Sequence, residues 1–496
     1  MIDTTTVEAL AGSRGTRRAA LAVAAVPLAL VVLGAGSAAL YFWGRDLHRF
    51  TQWIAAYIGL FVGQLAFYAG ACYVVTRWPA RSSPVARWIT LALIIFFAVA
   101  FRAVLVPQRP YLSADVYRYV WDGRVQAAGV NPYRFVPDDP ALSSLRDDKI
   151  FQNISREDQR WLSPYPPAAQ AIFLLISLAR PLSVTAFKAA MSSFDLITVL
   201  VLMLVLARSG IDPARAIIFA WHPLIIFESA HSGHIESVFI AFLALALLAW
   251  SSGKYALTGA SLALATLVKF YPVLLLPVFI IAKRDDASRS LPEDRRPGPR
   301  SALLGLITDR RNLAMLAAFV VTVALAYTPY LGAGKNLFGF LNGYIEEEGF
   351  VHSGARYFAL YALRKLVGIP TGAFLIFAAA CLLTGLLWWA FKLKRDTFDV
   401  ARGATAVIGL YLILTTPRYA WYYAWMIPFL CFAPRTGWFY LTCAPALLYL
   451  AWYTPLVYPE IPLWLGAVIF VPTLAWLAWE YFKRRGEQSS IALGSV

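Results

Sequence analysis

The residues best suited to chemistry lie in a polar stretch, 107–164, within a chain that otherwise consists mostly of long apolar runs. The stretch opens SADVYRYVWDGRVQAAGVNPYRF, and SPYPPAAQ follows at its end. Asp115 comes about nine residues after an apolar run, which predicts a carboxylate at a membrane face beside aromatic and arginine side chains. Such a carboxylate suits chemistry on a polar substrate that a lipid carries. The alternative is that Asp115 only caps the helix that follows.

The same stretch and the residue that follows it supply further side chains that we expect to share a pocket with Asp115: Asp122, Asn131, Tyr133, Arg134 and Tyr165. Arg118 and Arg124 are its candidate cations for an anionic group. If residues 117–126 are helical, Arg118, Asp122 and Gln126 share one face, because residues four apart lie together on a helix. Aromatic rings at a membrane interface are common anchors, so the tyrosines alone indicate little.

A second group of ionisable residues falls inside or at the ends of apolar runs: Asp195, Glu228, His231, His234, Glu236 and Lys269. Such residues are costly in lipid and usually face a bundle interior or a cavity. The HSGHIE block places His231, His234 and Glu236 close together, but it lacks the HExxH pattern of a helical zinc site. A hydrogen-bonding pocket is the favoured interpretation, and a metal site is the alternative.

Two cations outside the polar stretch could contact an anion. Lys269 stands just before Tyr271-Pro272, where the proline should break a helix, and both Lys269 and Tyr271 are expected in the pocket. The alternative for Lys269 is a side chain that extends along apolar surface to water. Arg418, at the start of a late apolar run, is the second candidate.

Composition places these residues in a membrane protein. Hydrophobic residues make up 59% of the 496 residues and charged residues 15%, which is more apolar surface than a soluble domain could bury. The net charge of +16 comes from short basic clusters between apolar runs, so it indicates topology and no nucleic-acid partner. The four cysteines lack metal-ligand spacing, which favours packing.

The positions of Lys and Arg predict one topology, because short cytoplasmic loops carry the positive excess. It consists of a cytoplasmic tail at 1–18, three spans within 19–106, an extracytoplasmic loop at 107–164, core helices at 165–282 with a break at 269–272, a basic cytoplasmic loop at 283–311, C-terminal membrane helices at 312–482 with an extracytoplasmic loop at 332–355, and a cytoplasmic tail at 483–496. The site is thereby expected on the extracytoplasmic face of a multi-pass protein. The composition is typical of a bacterial inner membrane protein.

These features predict an all-α fold, a polytopic transmembrane helical bundle with short extracytoplasmic and re-entrant helices. Several apolar stretches are too short to cross about 30 Å of hydrocarbon: 168–178, the halves beside the break at 269–272, and 357–367. Breaks at membrane depth are tolerated only where protein or a water-filled cavity surrounds them. The short segments should therefore cluster around an extracytoplasmic cavity.

The ordered set of motifs resembles the integral-membrane glycosyltransferases of the GT-C superfamily. The set is Asp115 followed by YRYVWDGR, GVNPY, YPP, FDL, WHP, HSGHIES, KFYP and PRYAWYYAWMIP, and the resemblance covers residues 112–428. It is similar in particular to PIG-M type mannosyltransferases and to bacterial polyprenol-phosphate-mannose-dependent enzymes. The chain departs from them in three ways: Ser113-Ala114-Asp115 replaces an Asp-x-Asp, Glu236 stands in the place of an aspartate, and two additional spans precede the loop.

The resemblance implies a catalytic loop at 107–164 and transfer of a hexose, by similarity mannose, from a polyprenyl-phosphate donor with inversion. The partners it implies are that donor, a glycolipid or polysaccharide acceptor, and membrane lipid. Asp115 would be the general base. The donor phosphate would be bound by Lys269, Arg418, Arg118 and Arg124. With a single carboxylate in the Asp-x-Asp place, no cofactor is expected and the reaction should be independent of metal.

Other functional classes remain open at this stage. A transporter or flippase of a lipid-linked sugar would also use intramembrane charges and broken helices. Transporters commonly contain paired repeats, whereas we find no second copy of KFYP or of SADVYRY. A large charged loop that contains the best motif favours an enzyme, and nothing specific favours a structural subunit.

Overall fold

The computed structural model describes residues 25–49, 53–77, 83–281, 308–338, 358–392, 397–453 and 462–493, and these residues form helices without β-strands. The all-α fold predicted from the sequence is thereby confirmed. Six of the described helices are long and apolar enough to cross a membrane. Five shorter apolar helices accompany them, as the short apolar stretches predict.

Three long helices come first in the chain, and they are α1 (Ala25–Leu47), α2 (Trp53–Arg77) and α3 (Pro84–Leu105). Helix α3 begins at a proline whose missing N–H would have had no helical partner, and the Ser83 side chain accepts the Ala86 N–H at 3.3 Å. At its far end, the buried Lys188 ammonium donates to the Leu105 carbonyl oxygen at 3.1 Å. This contact fixes the point where the chain enters the polar stretch.

The polar stretch contains the short helix α4 (Asp115–Ala127), and a second short helix, α5 (Pro167–Ala179), follows it. Between them lie three short 3₁₀-helices, at Pro140–Leu145, Phe151–Asn153 and Asp158–Arg160. Helices α4 and α5 approach closely at Gly123, where a Cβ atom would lie 2.4 Å from the Phe173 carbonyl oxygen. Only glycine permits this approach, and it seats α4 directly on α5.

The centre of the fold contains α6 (Val184–Arg208), α7 (Ile217–Ala220), α8 (Pro223–Ile226), a π-helical segment (Phe227–Ser232), α9 (Glu236–Ser251) and α10 (Tyr255–Thr266). Helix α9 packs between α6 and α10. The buried Arg102 of α3 pairs with Asp195 of α6 at 3.1 Å and donates to the Ala220 carbonyl oxygen at 3.1 Å. This ion pair joins three elements inside the bundle.

The chain breaks its helical path after α10, as predicted around residues 269–272. A non-helical segment leads into a 3₁₀-helix (Tyr271–Leu275) and then α11 (Leu276–Ile281). The carbonyl oxygen of Leu267, at the break, accepts the backbone N–H groups of Ala168 and Ala169 at 3.0 and 3.3 Å. The start of α5 is therefore bound to the break through its backbone.

The C-terminal part contains α12 (Arg310–Tyr327), a 3₁₀-helix (Thr328–Phe338), α13 (Phe358–Val367), α14 (Thr371–Lys392), α15 (Thr397–Thr415), a 3₁₀-helix (Ala420–Met426), α16 (Ile427–Leu430), α17 (Thr436–Cys443), a 3₁₀-helix (Ala444–Leu448), α18 (Tyr449–Tyr453) and α19 (Leu463–Leu493). The predicted tail 1–18 and most of the predicted loops 283–311 and 332–355 lie outside the described residues. The predicted tail from 483 continues α19 as helix up to Leu493.

Candidate active site

Asp115 is the first residue of α4, so its carboxylate lies at the positive end of the helix dipole. Ala114 occupies the cap position, and the cap has no side-chain hydrogen bond, so Asp115 does not serve as the helix cap that the alternative assigned to it. The Ser113 hydroxyl donates to Asp115 Oδ1 at 3.1 Å, and its oxygen lies 3.2 Å from the Asp115 backbone nitrogen. Ser113 therefore fixes the orientation of this carboxylate.

The Asp115 side chain is partly buried, with 31% of its surface exposed. Burial raises the pKa of Asp115 to about 7, the nearby Asp158 carboxylate raises it as well, and the Lys269 ammonium opposes the shift. A general base works best when its pKa lies near the working pH. The carboxylate is therefore accessible and suited to accept a proton at neutral pH.

The His234 imidazole lies among three carboxylates. Its Nδ1 is 3.6 Å from Asp115 Oδ2 and 4.0 Å from Glu236 Oε2, and its Nε2 is 3.4 Å from Glu228 Oε2. Gly233 directly before it adopts a left-handed conformation with φ of 78°, which turns the chain between the π-helical segment and α9. The HSGHIE motif thereby brings His234 and Glu236 to the Asp115 carboxylate.

Lys269 at the helix break reaches the same group of residues. Its Nζ lies 2.5 Å from Glu236 Oε1 and 4.9 Å from the centre of the Tyr422 ring, and only 14% of the side chain is exposed. The side chain points into the site. The alternative, a side chain that extends to water, does not describe it. Lys269, Glu236 and Asp115 thus belong to one site.

A row of aromatic rings extends from His234 to Arg418. The Trp421 ring stacks on His234 with centroids 4.0 Å apart, and the Tyr419 ring stacks on Trp421 at 4.6 Å. The buried Arg418 guanidinium lies 4.7 Å from the centre of the Tyr419 ring. Tyr419 also lies near-parallel to Tyr422, the ring that Lys269 contacts. In this pair of rings, Tyr419 contacts Arg418 and Tyr422 contacts Lys269.

Arg118 and Asp122 pair with each other and bind the protein's own backbone and side chains. They form a buried ion pair at 2.8 Å on the face that the four-residue spacing predicts. The Arg118 guanidinium also donates to the carbonyl oxygens of Asp158 and Trp161, and Asp122 accepts from Ser163 and Gln170. These contacts fasten the end of the polar stretch to α4. A role for Arg118 in binding phosphate stays a prediction.

The other candidates of the polar stretch lie in further local contacts. Arg124 pairs with Asp147 at 2.5 Å, Arg134 is exposed with its guanidinium 5.5 Å from the Phe135 ring, and Asn131 donates to the Tyr330 carbonyl oxygen at 3.1 Å. The hydroxyl of the buried Tyr133 donates to the Tyr165 carbonyl oxygen at 2.7 Å. These contacts of Arg124 and Arg134 do not involve Asp115, and the roles of both residues stay predictions.

Two further predicted residues lie among aromatic rings. His231 is buried with its ring 4.0 Å from that of Tyr111, and Tyr271 lies 4.9 Å from Trp425 and 5.5 Å from Tyr422. Among the residues that the structure describes, no group of three or more His, Cys, Asp and Glu side chains could hold a metal ion. Independence of metal remains an expectation.

Sequence reasoning singled out Glu228 but did not assign it to the site, and it missed Tyr449 altogether. Glu228 stands out in the sequence as an acid in an apolar run, but nothing there connects it with His234. The Tyr449 hydroxyl lies 2.8 Å from Glu228 Oε1 across 221 residues of chain. Only the packing of α18 against the π-helical segment brings these two together, and no local pattern indicates such a contact.

The fold and the site define an all-helical membrane protein whose site combines a partly exposed carboxylate with a carboxylate–ammonium pair. The MptA_B family model, described as "Alpha-(1->6)-mannopyranosyltransferase, N-terminal domain", matches residues 20–284, more than half of the chain. The chain belongs to this family of GT-C type mannosyltransferases, as the resemblance predicted. Comparison with curated proteins and with solved structures gave no match.

Proposed function

We propose that this mannosyltransferase moves a mannosyl group from a polyprenyl-phosphate donor to a hydroxyl of a glycolipid or polysaccharide on the extracytoplasmic face, with inversion. The observation that supports this most is Asp115, a partly exposed carboxylate with a pKa of about 7. It lies on the far side of His234 from Glu228, with the Lys269–Glu236 pair beside it. The site thus supplies a base and a cation together.

The family description names an α-(1→6) linkage, and this linkage determines the anomeric configuration that the donor must have. A single displacement inverts the anomeric carbon, so an α-linked product requires a β-linked donor. A 1→6 linkage requires a primary hydroxyl on the acceptor. The proposed reaction therefore joins the primary hydroxyl of a hexose acceptor to the anomeric carbon of a β-linked mannosyl phosphate.

Asp115 acts as the general base in this proposal. It takes the proton of the acceptor hydroxyl as the oxygen bonds to the anomeric carbon, while the bond from that carbon to the phosphate oxygen breaks. A positioned general base contributes about 10²–10⁴-fold to the rate. A single base is sufficient, since the leaving phosphate does not need a proton to depart.

Lys269 and Arg418 stabilise the departing phosphate. The donor is a phosphate diester with one negative charge, and the leaving polyprenyl phosphate gains a second charge as the bond breaks. A cation beside it is therefore worth more in the transition state than in the ground state. The Lys269 ammonium has three donors, and Glu236 uses one of them, which leaves donors for phosphate oxygens.

The distribution of positive charge supports the proposed extracytoplasmic face. Arg77 ends α2 on the side of a basic loop, so α3 leads away from the cytoplasm to Asp115. Asp115 follows this span closely, so its carboxylate is expected near the membrane surface, where the sugar phosphate of a lipid-linked donor also lies.

Transfer of radiolabelled mannose from polyprenyl-phosphate-mannose tests the proposal. Purified wild type and Asp115→Asn are compared in detergent on crude lipid and glycan acceptors, with and without chelator. Transfer by wild type that Asp115→Asn abolishes and chelator spares is the expected result. Retention of the label in an acid-stable α-linked product would support the stereochemistry.

The competing function, a lipid-sugar transporter, gives a different result in the same preparations. It would produce no labelled product under any condition, but it would move the donor across vesicles. Asp115→Ala would then slow that movement without any change in transfer, and the proposal would be wrong.

A further inference from the structure

Glu228, His234 and Tyr449 form a chain of contacts behind Asp115 that the proposed reaction does not use. The Tyr449 hydroxyl lies 2.8 Å from Glu228 Oε1 and 3.0 Å from Oε2, and Oε2 lies 3.4 Å from His234 Nε2. The other ring nitrogen, Nδ1, lies 3.6 Å from Asp115 Oδ2. Each group therefore faces the next, from the interior of the bundle to the candidate base.

The surroundings of Nδ1 determine which nitrogen of His234 carries hydrogen. Nδ1 faces Asp115 at 3.6 Å and Glu236 at 4.0 Å, and both present carboxylate oxygens. Glu236 is paired with the Lys269 ammonium, which stabilises its ionised form. Asp115 must be ionised to act as a base. Both carboxylates lie beyond hydrogen-bond distance of Nδ1, and their negative charge favours the tautomer with hydrogen on Nδ1.

This tautomer leaves a lone pair on Nε2 that points toward Glu228. An ionised Glu228 would place two acceptors against each other, so either Glu228 or His234 must carry one more proton. The His234 and Glu228 side chains are 0% and 3% exposed, and two charges there would lose their hydration. The contact of 3.4 Å is longer than the ~2.7–2.9 Å of a charge-assisted hydrogen bond, so an ion pair would recover little of that loss. The neutral arrangement is favoured.

We propose that Glu228 is a neutral carboxylic acid that fixes His234 in the Nδ1–H tautomer, and that His234 thereby orients Asp115. The inference rests on the proposed function for the role of Asp115 as base. Oε1 of Glu228 accepts the Tyr449 hydrogen, and Oε2 directs its own hydrogen to Nε2. His234 and Glu228 are positioning residues, since they act on the substrate only through Asp115.

Infrared difference spectroscopy tests the protonation of Glu228 directly and needs no activity. Spectra of full-length wild type and Glu228→Gln, both in lipid nanodiscs at neutral pH, are subtracted. The same pair of spectra is recorded in the Asp115→Asn background, so that titration of Asp115 itself cannot produce the band. The expected difference is a carbonyl band of a protonated carboxylic acid that shifts to lower frequency in D₂O. Carboxylate bands in its place would overturn the proposal, even if transfer by wild type is normal.

The pH dependence of transfer gives a second test. The titratable groups around Glu228 are His234, Tyr449, Asp115 and Glu236, and Asp158 and Lys269 also act on Asp115. Replacing a neutral acid with a neutral amide leaves the charge around Asp115 unchanged. The glutamine amide can still accept the Tyr449 hydrogen and donate an N–H toward His234 Nε2, so Glu228→Gln is expected to keep most of the wild-type kcat and to leave the midpoint of the pH profile in place. A lower midpoint would show that a negative charge had been removed.

Two replacements of His234 separate orientation from loss of folding. The amide of asparagine can stand in for Nδ1, and that of glutamine for Nε2. His234→Gln is expected to lower kcat by about 10²-fold with an unchanged KM for donor, the low end for loss of an effective base. His234→Asn is expected to recover part of this rate. Equal rates for the two variants, with intact thermal unfolding, would contradict an orienting role, and Glu157→Gln on the exposed surface serves as the control.

Discussion

Lys269 Nζ lies 2.5 Å from Glu236 Oε1, so the helix break is joined to the first residue of α9 by an ion pair that spans 33 residues of chain. The pair gives the lysine two possible roles. It neutralises a buried acid, and it presents its remaining donors to an anion beside Asp115. The two roles can be separated by removing both partners.

Lys269→Met is expected to reduce mannosyl transfer by about 10²–10³-fold, the effect of removing a donor that stabilises developing charge. It also leaves Glu236 without its cation and should lower the unfolding temperature. In the double variant with Glu236→Gln, the unfolding temperature should recover, because no unpaired charge remains, while transfer stays low. Transfer rates and thermal unfolding are measured together. Recovery of transfer in the double variant would show that Lys269 only neutralises Glu236.

Asp115→Asn is expected to lower kcat by about 10²–10⁴-fold, because an amide cannot accept the proton. The KM for the donor should stay the same, since Asn has the size of Asp and the cations remain in place. Steady-state kinetics with labelled donor provide the measurement. Asp148→Asn, an exposed position in the same polar stretch, is the control and should transfer at the wild-type rate. A normal kcat in Asp115→Asn would exclude this residue as the base.

Transfer should increase with pH and level off above a midpoint of about 7, because Asp115 acts in its ionised form and burial raises its pKa to about that value. Below the midpoint the carboxyl is protonated and cannot accept a proton. Asp158→Asn should move the midpoint to lower pH, since it removes a negative charge that raises the pKa of Asp115. The profile of kcat/KM against pH is the measurement, and a midpoint that Asp158→Asn leaves in place would argue against this electrostatic contact.

Arg118→Ala should destabilise the protein by about 3–5 kcal/mol, because it leaves the buried Asp122 carboxylate without its cation. It also removes the donors to the Asp158 and Trp161 carbonyl oxygens, so the end of the polar stretch should become accessible to protease. Thermal unfolding and limited proteolysis measure the two effects. Arg134→Ala, at an exposed position, is the matched control. Normal stability with lost transfer would instead favour a direct contact of Arg118 with the donor.

Gly233→Ala should reduce both stability and transfer. The residue has a φ of 78°, and a Cβ atom there would lie 3.0 Å from Lys188 Cγ and from Val116 Cγ2, next to Asp115. Alanine at such a φ costs more than about 0.4–1 kcal/mol. Gly129→Ala is a close control, because its φ is 79° but no atom lies within 4 Å of the added Cβ. It should lose some stability and keep its transfer rate, and equal loss of transfer in both variants would contradict a specific role for the Gly233 contact.

The sequence predicts the parts of this fold that local physics determines. Long apolar runs become α1, α2 and α3, and the proline at residue 272 marks a break that the structure contains. The four-residue spacing of Arg118 and Asp122 predicts their shared face, but not that the pair would bind the loop at its other end. A helical period indicates which residues are neighbours on one helix, but it does not indicate which other part of the chain packs against them.

For the site too, the sequence indicates single residues but not which of them come together. Asp115, His234, Glu236 and Lys269 are visible as chemically unusual residues, since charges in apolar runs are costly. Their meeting depends on the left-handed turn at Gly233 and on how α9 packs against the helix break. The partner of Glu228 lies on α18, at Tyr449, and only tertiary packing identifies it.

The Leu267 carbonyl oxygen binds the N–H groups of Ala168 and Ala169, so the spacing between the base and the cation depends on main-chain atoms. Side-chain identity at the start of α5 has no part in that contact. Replacement of Ala168 or Ala169, both buried, by a residue as small as serine should leave this contact intact, whereas one inserted residue between Ser163 and Pro167 would displace the α4 assembly relative to Lys269. The separation of Asp115 and Lys269 therefore depends on chain length in this segment, and a deletion or insertion scan would detect what a scan of small substitutions overlooks.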